Sequence, residues 1–270
     1  MIYPPVIPDT NNLIYVYCIT FDKPSQLELF GAGKLQQFEH NSLYITVKIV
    51  SETEFSEENI KKNISNEEWL EIHVREHVSV IEKIMETQAV IPFNFGTIYK
   101  SEDSLKQFVE KYSDDLRKTL QYLKNKEEWS AKIYCDKNKI IKNIAYLSNN
   151  MSDIELLIKN SSPGKAYLLG KKKKEILEKE ISIIYNNYSK KIFTTLNDLS
   201  EEYRLNTLLS NDITGKEEDM IVNASFLIKK ESIHQFIEVV NVLCKEYENI
   251  GIIVNLTGPW PPYSFIKISE

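Results

Sequence analysis

Gly258-Pro259-Trp260-Pro261-Pro262-Tyr263-Ser264-Phe265, near the end of this 270-residue chain, holds three prolines and three aromatic rings in eight positions. It follows an alternating run from Ile252 to Leu256. A proline fixes its own φ and pushes the preceding residue towards extended backbone. Gly258, Trp260 and Pro261 each precede a proline, so the stretch reads as a stiff ribbon lacking most of its donors. Such a ribbon finishes an edge strand and cannot lie in mid-sheet. Its rings suit either a packed seam or a recognition surface, and aromatic burial favours the seam. By this reading Trp260 packs, because the ribbon directly follows a core strand. Tyr263 and Phe265 share a face opposite Ser264, so at least one of those rings is expected in solvent.

Outward from the ribbon, strand and helix periods alternate. Leu13–Thr20 and Leu43–Val50 read as strands, with Gly31 and Gly33 punctuating the connection between them. A helix is predicted from an Asn66 cap to about Glu86, with Leu70, Val74, His77, Ile81 and Ile84 on its apolar stripe, widened by Val78 and Met85. The stretch from Ala89 to Ile98 is extended, broken at Pro92 and turned at Gly96. Ser101 and Ser104 open a second long helix carrying Leu105 to Leu123. The polar residues Asn125 to Glu128 read as a linker where the period changes. Trp129–Cys135 follows as a strand, with Ala131, Ile133 and Cys135 on one face. Helical periods run from Asp136 to Asn160 and again from Pro163 to Leu199, the latter capped by Ser161 or Ser162. The stretch from Asn211 to Asp219 is a loop, then Met220–Ile228 is a strand, Ser232–Tyr247 a helix and Ile250–Leu256 a strand. The expectation is an α+β chain of two domains. Residues 1–125 form the first; residues 126–270 form a modified ferredoxin-like second domain with a long helical insertion.

The totals exclude several classes. Apolar residues make up 42%, enough for a core, and charged residues 27%. No apolar run approaches the ~20 residues that span a bilayer, so no membrane is expected. Met1 to Asp9 has three prolines and no basic residue, unlike a secretory signal. Net charge is −6, and the only arginines are Arg75, Arg117 and Arg204, which argues against nucleic acid. Cys18, Cys135 and Cys244 are widely spaced, with no C-x-x-C pair, and read as free thiols in a reducing cytoplasm.

His73-Val74-Arg75-Glu76-His77 fits H-x-x-E-H, in which two histidines on one helical face hold zinc and the glutamate acts as base. His77 lies on the apolar stripe, no acidic third ligand stands out, and the expected outcome is one packed and one surface histidine without metal. Ser162-Pro163-Gly164-Lys165 lacks the glycine pair and the hydroxyl of a phosphate loop and reads as a helix start. Lys171 to Lys174 reads as a solvated face, or as contact with an acidic partner.

Six pieces, the closing ribbon among them, stand in a recognisable order. These are Trp69-Leu70 with His77 eight residues after the tryptophan, then Val90-Ile91-Pro92-Phe93 with Phe95-Gly96-Thr97, and Glu128-Trp129 leading into Lys132-Ile133-Tyr134. Ser162-Pro163-Gly164-Lys165-Ala166-Tyr167-Leu168, Asn223-Ala224-Ser225-Phe226-Leu227 and the closing ribbon complete the set. Together they resemble the gas vesicle protein family GvpL/GvpF. Asn94 departs from the basic residue many members carry there, and the first dozen residues match nothing. The resemblance implies a non-enzymatic minor gas vesicle protein, without cofactor, found on the vesicle within the cytoplasm. It implies a role in nucleation or assembly, by binding the hydrophobic main shell protein and other gas vesicle proteins and limiting aggregation. Phe93, Phe95, Tyr99, Tyr263 and Phe265 are the expected contacts. The alternatives from other classes are a zinc hydrolase built on His73, Glu76 and His77, and a generic cytoplasmic adaptor.

Overall fold

The computed structural model describes residues 12–24 and 35–268. The turn expected at Gly31 and Gly33 and the segment from Met1 to Asp9 lie outside them. The chain divides into two compact units. One runs up to Glu127 and includes the tail from Trp260; the other is Glu128–Pro259.

The first unit is built on β1 (Asn12–Thr20), β2 (Leu35–His40) and β3 (Leu43–Ser51), which pair antiparallel in the order β2-β3-β1. Short helices α1 (Glu52–Phe55) and α2 (Glu57–Asn63) lead to α3 (Glu67–Met85), where the Asn66 side chain accepts from the Trp69 amide as expected. The short strands β4 (Ile91–Pro92) and β5 (Ile98–Tyr99) both pair with β1, and Gly96, at φ +79°, makes the turn between them. Strand β1 is buried from Leu13 to Thr20. Leu13, Tyr15, Tyr17 and Cys18 pack with Val80, Ile81 and Ile84 of α3. Ile14, Val16 and Ile19 are buried outside that cluster, so β1 is covered on both faces.

The long helix expected from Ser101 is two: α4 (Glu102–Lys111), opened by a Ser101–Ser104 capping box, and α5 (Ser113–Leu123). They break at Tyr112, before Ser113, Asp114 and Asp115, residues that favour a new helix start. The linker expected over Asn125 to Glu128 is a single tight turn. Asn125 takes φ +58°, which asparagine tolerates, and β6 (Lys126–Cys135) begins at once.

The second unit continues from β6 through α6 (Lys137–Lys142), α7 (Ile144–Leu147), α8 (Asn149–Lys159) and the 35-residue α9 (Pro163–Asn197). Then come β7 (Glu202–Leu205), α10 (Asn211–Thr214), β8 (Asp219–Lys229), α11 (Ile233–Tyr247) and β9 (Ile252–Trp260). The sheet order is β7-β8-β6-β9, so β9 is an edge strand and carries Pro259 at its end. Ala131, Ile133 and Cys135 of β6 join Ala224, Phe226 and Ile228 of β8 in one core, covered by Phe236, Val240 and Leu243 of α11 and by Ile184, Ile192 and Leu196 of α9. Gly251 enters β9 at φ +92°; a Cβ there would lie 2.7 Å from Lys139 Cβ. Neither Ser161 nor Ser162 gives α9 a side-chain cap: Ser162 makes none, and the Ser161 hydroxyl bonds back to Leu157 O. Pro163, which needs no cap partner, starts the helix instead. Cys18, Cys135 and Cys244 are free. Burial pushes the Cys18 and Cys135 thiols up to about 12.

Residues 260–268 part from the second unit, to which the sequence reading assigned them. Thr119 Oγ1 donates to Lys267 O at 2.8 Å, and the Lys267 ammonium lies 4.1 Å from the centroid of Tyr122, both on the first unit.

Candidate functional site

The densest polar chemistry of the first unit sits on the face of β1 that α3 covers. Strand β1 carries a bulge: its register with β3 shifts between Val16 and Cys18, leaving Tyr17 as the extra residue. Tyr15 and Tyr17, with ring centroids 5.0 Å apart, both turn towards His77. His77 Nε2 is 2.9 Å from Phe93 O, an atom that only accepts, so Nε2 carries the proton. Nδ1 therefore accepts from the Tyr15 hydroxyl at 2.9 Å, and that hydroxyl in turn accepts from the Gly96 amide at 3.2 Å. The Tyr263 hydroxyl shares the Nε2–H at 3.2 Å. This is a neutral, fixed imidazole linking β1, α3, the β4–β5 turn and the tail. Burial drives its pKa down to about 4, only partly offset by the bond to Phe93 O.

Glu76, next on α3, accepts from the Tyr17 hydroxyl at 2.6 Å and from Lys48 Nζ at 2.8 and 3.1 Å. Burial first, and Glu76 second, push the Tyr17 phenol far above its ordinary range. One turn earlier, His73 stacks on Trp69 at 4.1 Å, donates from Nδ1 to Trp69 O at 2.7 Å, and keeps Nε2 3.4 Å from Glu54. The two histidines and the glutamate of H-x-x-E-H thus face three different sets of protein partners. Both His77 nitrogens are already bonded, and the zinc hydrolase reading finds no support. No group of three or more metal-ligating side chains occurs among the described residues.

The expected contact residues divide. Phe95 packs edge-on to Tyr15, Trp69 and His77 and belongs to the network. Phe93 and Tyr99 lie half-buried against Phe108, at 5.7 and 6.0 Å, with Tyr112 behind it. Between them, Gly96 and Ile98 border an open cleft of about 810 Å³ lined also by Leu13, Phe55 and Ile60. Tyr263 is half-buried on His77, and burial pushes its phenol up to about 12. Phe265 is fully buried, at 0% exposure. Trp260, expected to pack, is 42% exposed. The two corrections have separate causes. Tyr263–Phe265 is a turn of 3-10 helix, so the two-residue alternation of an extended ribbon ends at Pro262 and Phe265 swings into the core. Trp260 closes β9 at the edge of its sheet, where the strand is exposed from Thr257 onward. The sequence reading found His77 on its stripe but missed Tyr15, Tyr17 and Lys48 as its surroundings. The signal was present in the i, i+2 spacing of the two tyrosines on a buried strand.

The family model described as gas vesicle synthesis protein GvpL/GvpF matches residues 13–267. The chain belongs to that family. Among curated relatives of this GvpL/GvpF chain, gas vesicle protein L of Streptomyces sp. is 22% identical over 97% of this chain and 95% of its own length. Gas vesicle protein F1 of Halobacterium salinarum is 22% identical over 96% and 94%. Among solved structures, GvpF from Anabaena sp. superposes with a TM-score of 0.70 at 20% identity, covering 97% of this chain and all of that one. GvpF from Microcystis aeruginosa gives 0.67 at 18% identity over 94% and 99%. The family assigns the chain a role in gas vesicles. No described helix is long and apolar enough to cross a membrane.

Proposed function

We propose that this GvpL/GvpF chain is a non-enzymatic assembly factor, acting on the vesicle within the cytoplasm. It binds the hydrophobic main shell protein and limits its aggregation before incorporation. A small, very apolar subunit is an aggregation hazard until it is assembled. The observation that carries this reading is Trp260, a large ring 42% exposed on a stretch stiffened by Pro259, Pro261 and Pro262. Rigid aromatic anchors are favoured at interfaces because little freedom is lost on binding. The half-buried Phe93 and Tyr99, beside the open cleft, supply further apolar contact on the same unit. His77, with Tyr15 and Tyr263, acts as the post that fixes the β4–β5 turn and the tail, and so positions these rings without touching the partner. We read the second unit, with its β-α-β-β-α-β connectivity and β7-β8-β6-β9 order, as ferredoxin-like with α6 to α9 as the insertion.

Co-purification of the shell protein from vesicle-producing cells tests the reading. A Trp260→Ser/Tyr99→Ser double variant that melts like the parent is expected to lose the shell protein and to lower vesicle yield. Full retention of the shell protein by that folded variant refutes the assignment of the contact.

A further inference from the structure

The open cleft of about 810 Å³ in the first unit joins an apolar floor to an acidic rim. Leu13 and Phe55 are buried members of the core between β1 and α3, and Ile60 and Ile98 pack half-buried against that core. The floor is therefore one connected apolar surface, and a cleft of this volume has room for a few side chains. Gly96 forms part of the wall, where a Cβ would meet no atom within 4 Å. Trp260, Phe93 and Tyr99 are not among the described residues that line it.

Two short helices set the rim. Ser51 caps α1 by accepting from the Thr53 amide, and Ser56 caps α2 by accepting from the Asn59 amide. Carboxylates are favoured in a first helical turn, and here Glu52, Glu54, Glu57 and Glu58 occupy two of them. Glu54 is committed to the Trp69 indole and faces His73. Of the charged groups lining the cleft, Glu57 holds Lys61 at 2.7 Å, which leaves Glu52 and Glu58 against Lys100. The sign extends along the chain: from Glu52 to Glu71 there are seven glutamates and two lysines, a net −5 in a chain of net −6.

We propose that this cleft is a second docking site, and that its occupant is a short segment of a partner protein carrying one or two large apolar side chains next to Arg or Lys. The apolar side chains fill the floor formed by Leu13, Phe55, Ile60 and Ile98, as anchors fill pockets at interfaces. The basic side chains meet Glu52 and Glu58 at the rim. An acidic segment with the same apolar residues meets two like charges there and is rejected. Charge therefore selects the partner, and the floor holds it.

The test uses the full chain and three short synthetic peptides with blocked ends. The first has Leu and Phe flanked by arginines, the second keeps the arginines but has Ser for Leu and Phe, and the third has glutamates for the arginines. The first is expected to bind, with affinity falling as salt is raised, and the other two to bind about tenfold or more weakly. Thr53→Trp, at an exposed position lining the cleft, should weaken binding of the first peptide by filling the space it needs. Glu52→Gln/Glu58→Gln should weaken it about fivefold at low salt and flatten the salt dependence, with melting little changed. No binding of the first peptide, equal binding of the arginine and glutamate peptides, or binding that neither variant weakens overturns the proposal. Equal binding of the first and second peptides reduces the site to charge attraction and overturns it as well. So does a concentration-dependent dimer that both variants abolish, which would give the cleft to a second copy of the chain. The peptide comparison decides the matter alone should a variant fail to fold. The peptides contain no vesicle component, so failure here leaves the shell-protein reading standing, and the reverse holds too.

Discussion

Replacing His77 with glutamine isolates the energetic effect of a neutral imidazole fixed in the first unit. The folded chain holds the His77 pKa at about 4, against 6.5 for the free side chain. As pH falls through that window, the unfolded chain takes up a proton that the folded chain refuses. The stability tied to His77 is therefore complete above pH 6.5, declines as pH falls, and is gone below about pH 4. At about 1.4 kcal/mol per pH unit, the whole loss is about 3 kcal/mol. Glutamine stays neutral across the window and keeps one donor for Phe93 O and one acceptor for the Tyr15 hydroxyl. The variant starts less stable at neutral pH, by about 1–3 kcal/mol, because its amide cannot reproduce both ring positions. It should then lose less on acidification, since the remaining acid sensitivity comes from carboxylates common to both proteins. Urea unfolding followed by near-ultraviolet circular dichroism, which reports on the Tyr15–Tyr17–Trp69 cluster, gives the two pH profiles. The parent-minus-variant difference should shrink steadily between pH 6.5 and 4. A constant difference across that range refutes the argument that a buried neutral His77 carries this pH dependence.

Phe265→Ala removes a fully buried ring and should cost about 3–5 kcal/mol, seen as a large drop in melting temperature. Trp260→Ala, at an exposed position, should shift stability by no more than about 1 kcal/mol in the same melt while removing shell-protein capture. Gly251→Ala combines φ +92° with a Cβ 2.7 Å from Lys139 Cβ, and should cost more than the roughly 1 kcal/mol of a left-handed strain alone, read from urea unfolding. Glu180→Ala leaves Ser148 and Asn150 without their acceptor. A loss of about 1–3 kcal/mol is expected, together with faster amide exchange across α8.

Much of the fold was legible where one periodicity ran without competition. The apolar run of β1, the alternation in β3, the Asn66-capped stripe of α3 and the face of α11 all lie where the sequence places them, within a residue or two, and β6 starts three residues earlier, at Lys126 rather than Trp129. Elements with no such signal were missed. Leu35–His40 and Glu202–Leu205 read as polar, and they become strands because β3 and β8 offer edges to pair with. The division of the long helix at Tyr112 was hidden because Phe108, Tyr112 and Leu116 keep a helical spacing straight through the break. At the candidate site, helical position identified His77 as packed, but its partners come from β1, the β4–β5 turn and the tail, up to 186 residues away, and local pattern carries no such information. The closing ribbon continues β9 as far as Trp260, where the edge strand is already exposed, and the 3-10 turn after Pro262 then carries Phe265 inward; a two-residue alternation predicts neither.

The return of the tail to the first unit has a consequence for biosynthesis. On a ribosome the chain emerges in order, so the second unit, Glu128–Pro259, is complete before the residues that carry Tyr263 and Phe265 appear. Until then the nascent first unit has a hole where Phe265 belongs and one fewer ligand on His77. The residues after Pro259 thus act as a latch on a unit made before Glu128. A ribosome stalled or a message truncated near codon 260 would release a product whose second unit is sound and whose first unit stands ajar, with apolar surface open to chaperones and proteases. A chain stopped there would thus be betrayed by an unfilled site in its first unit, not at the point of the cut.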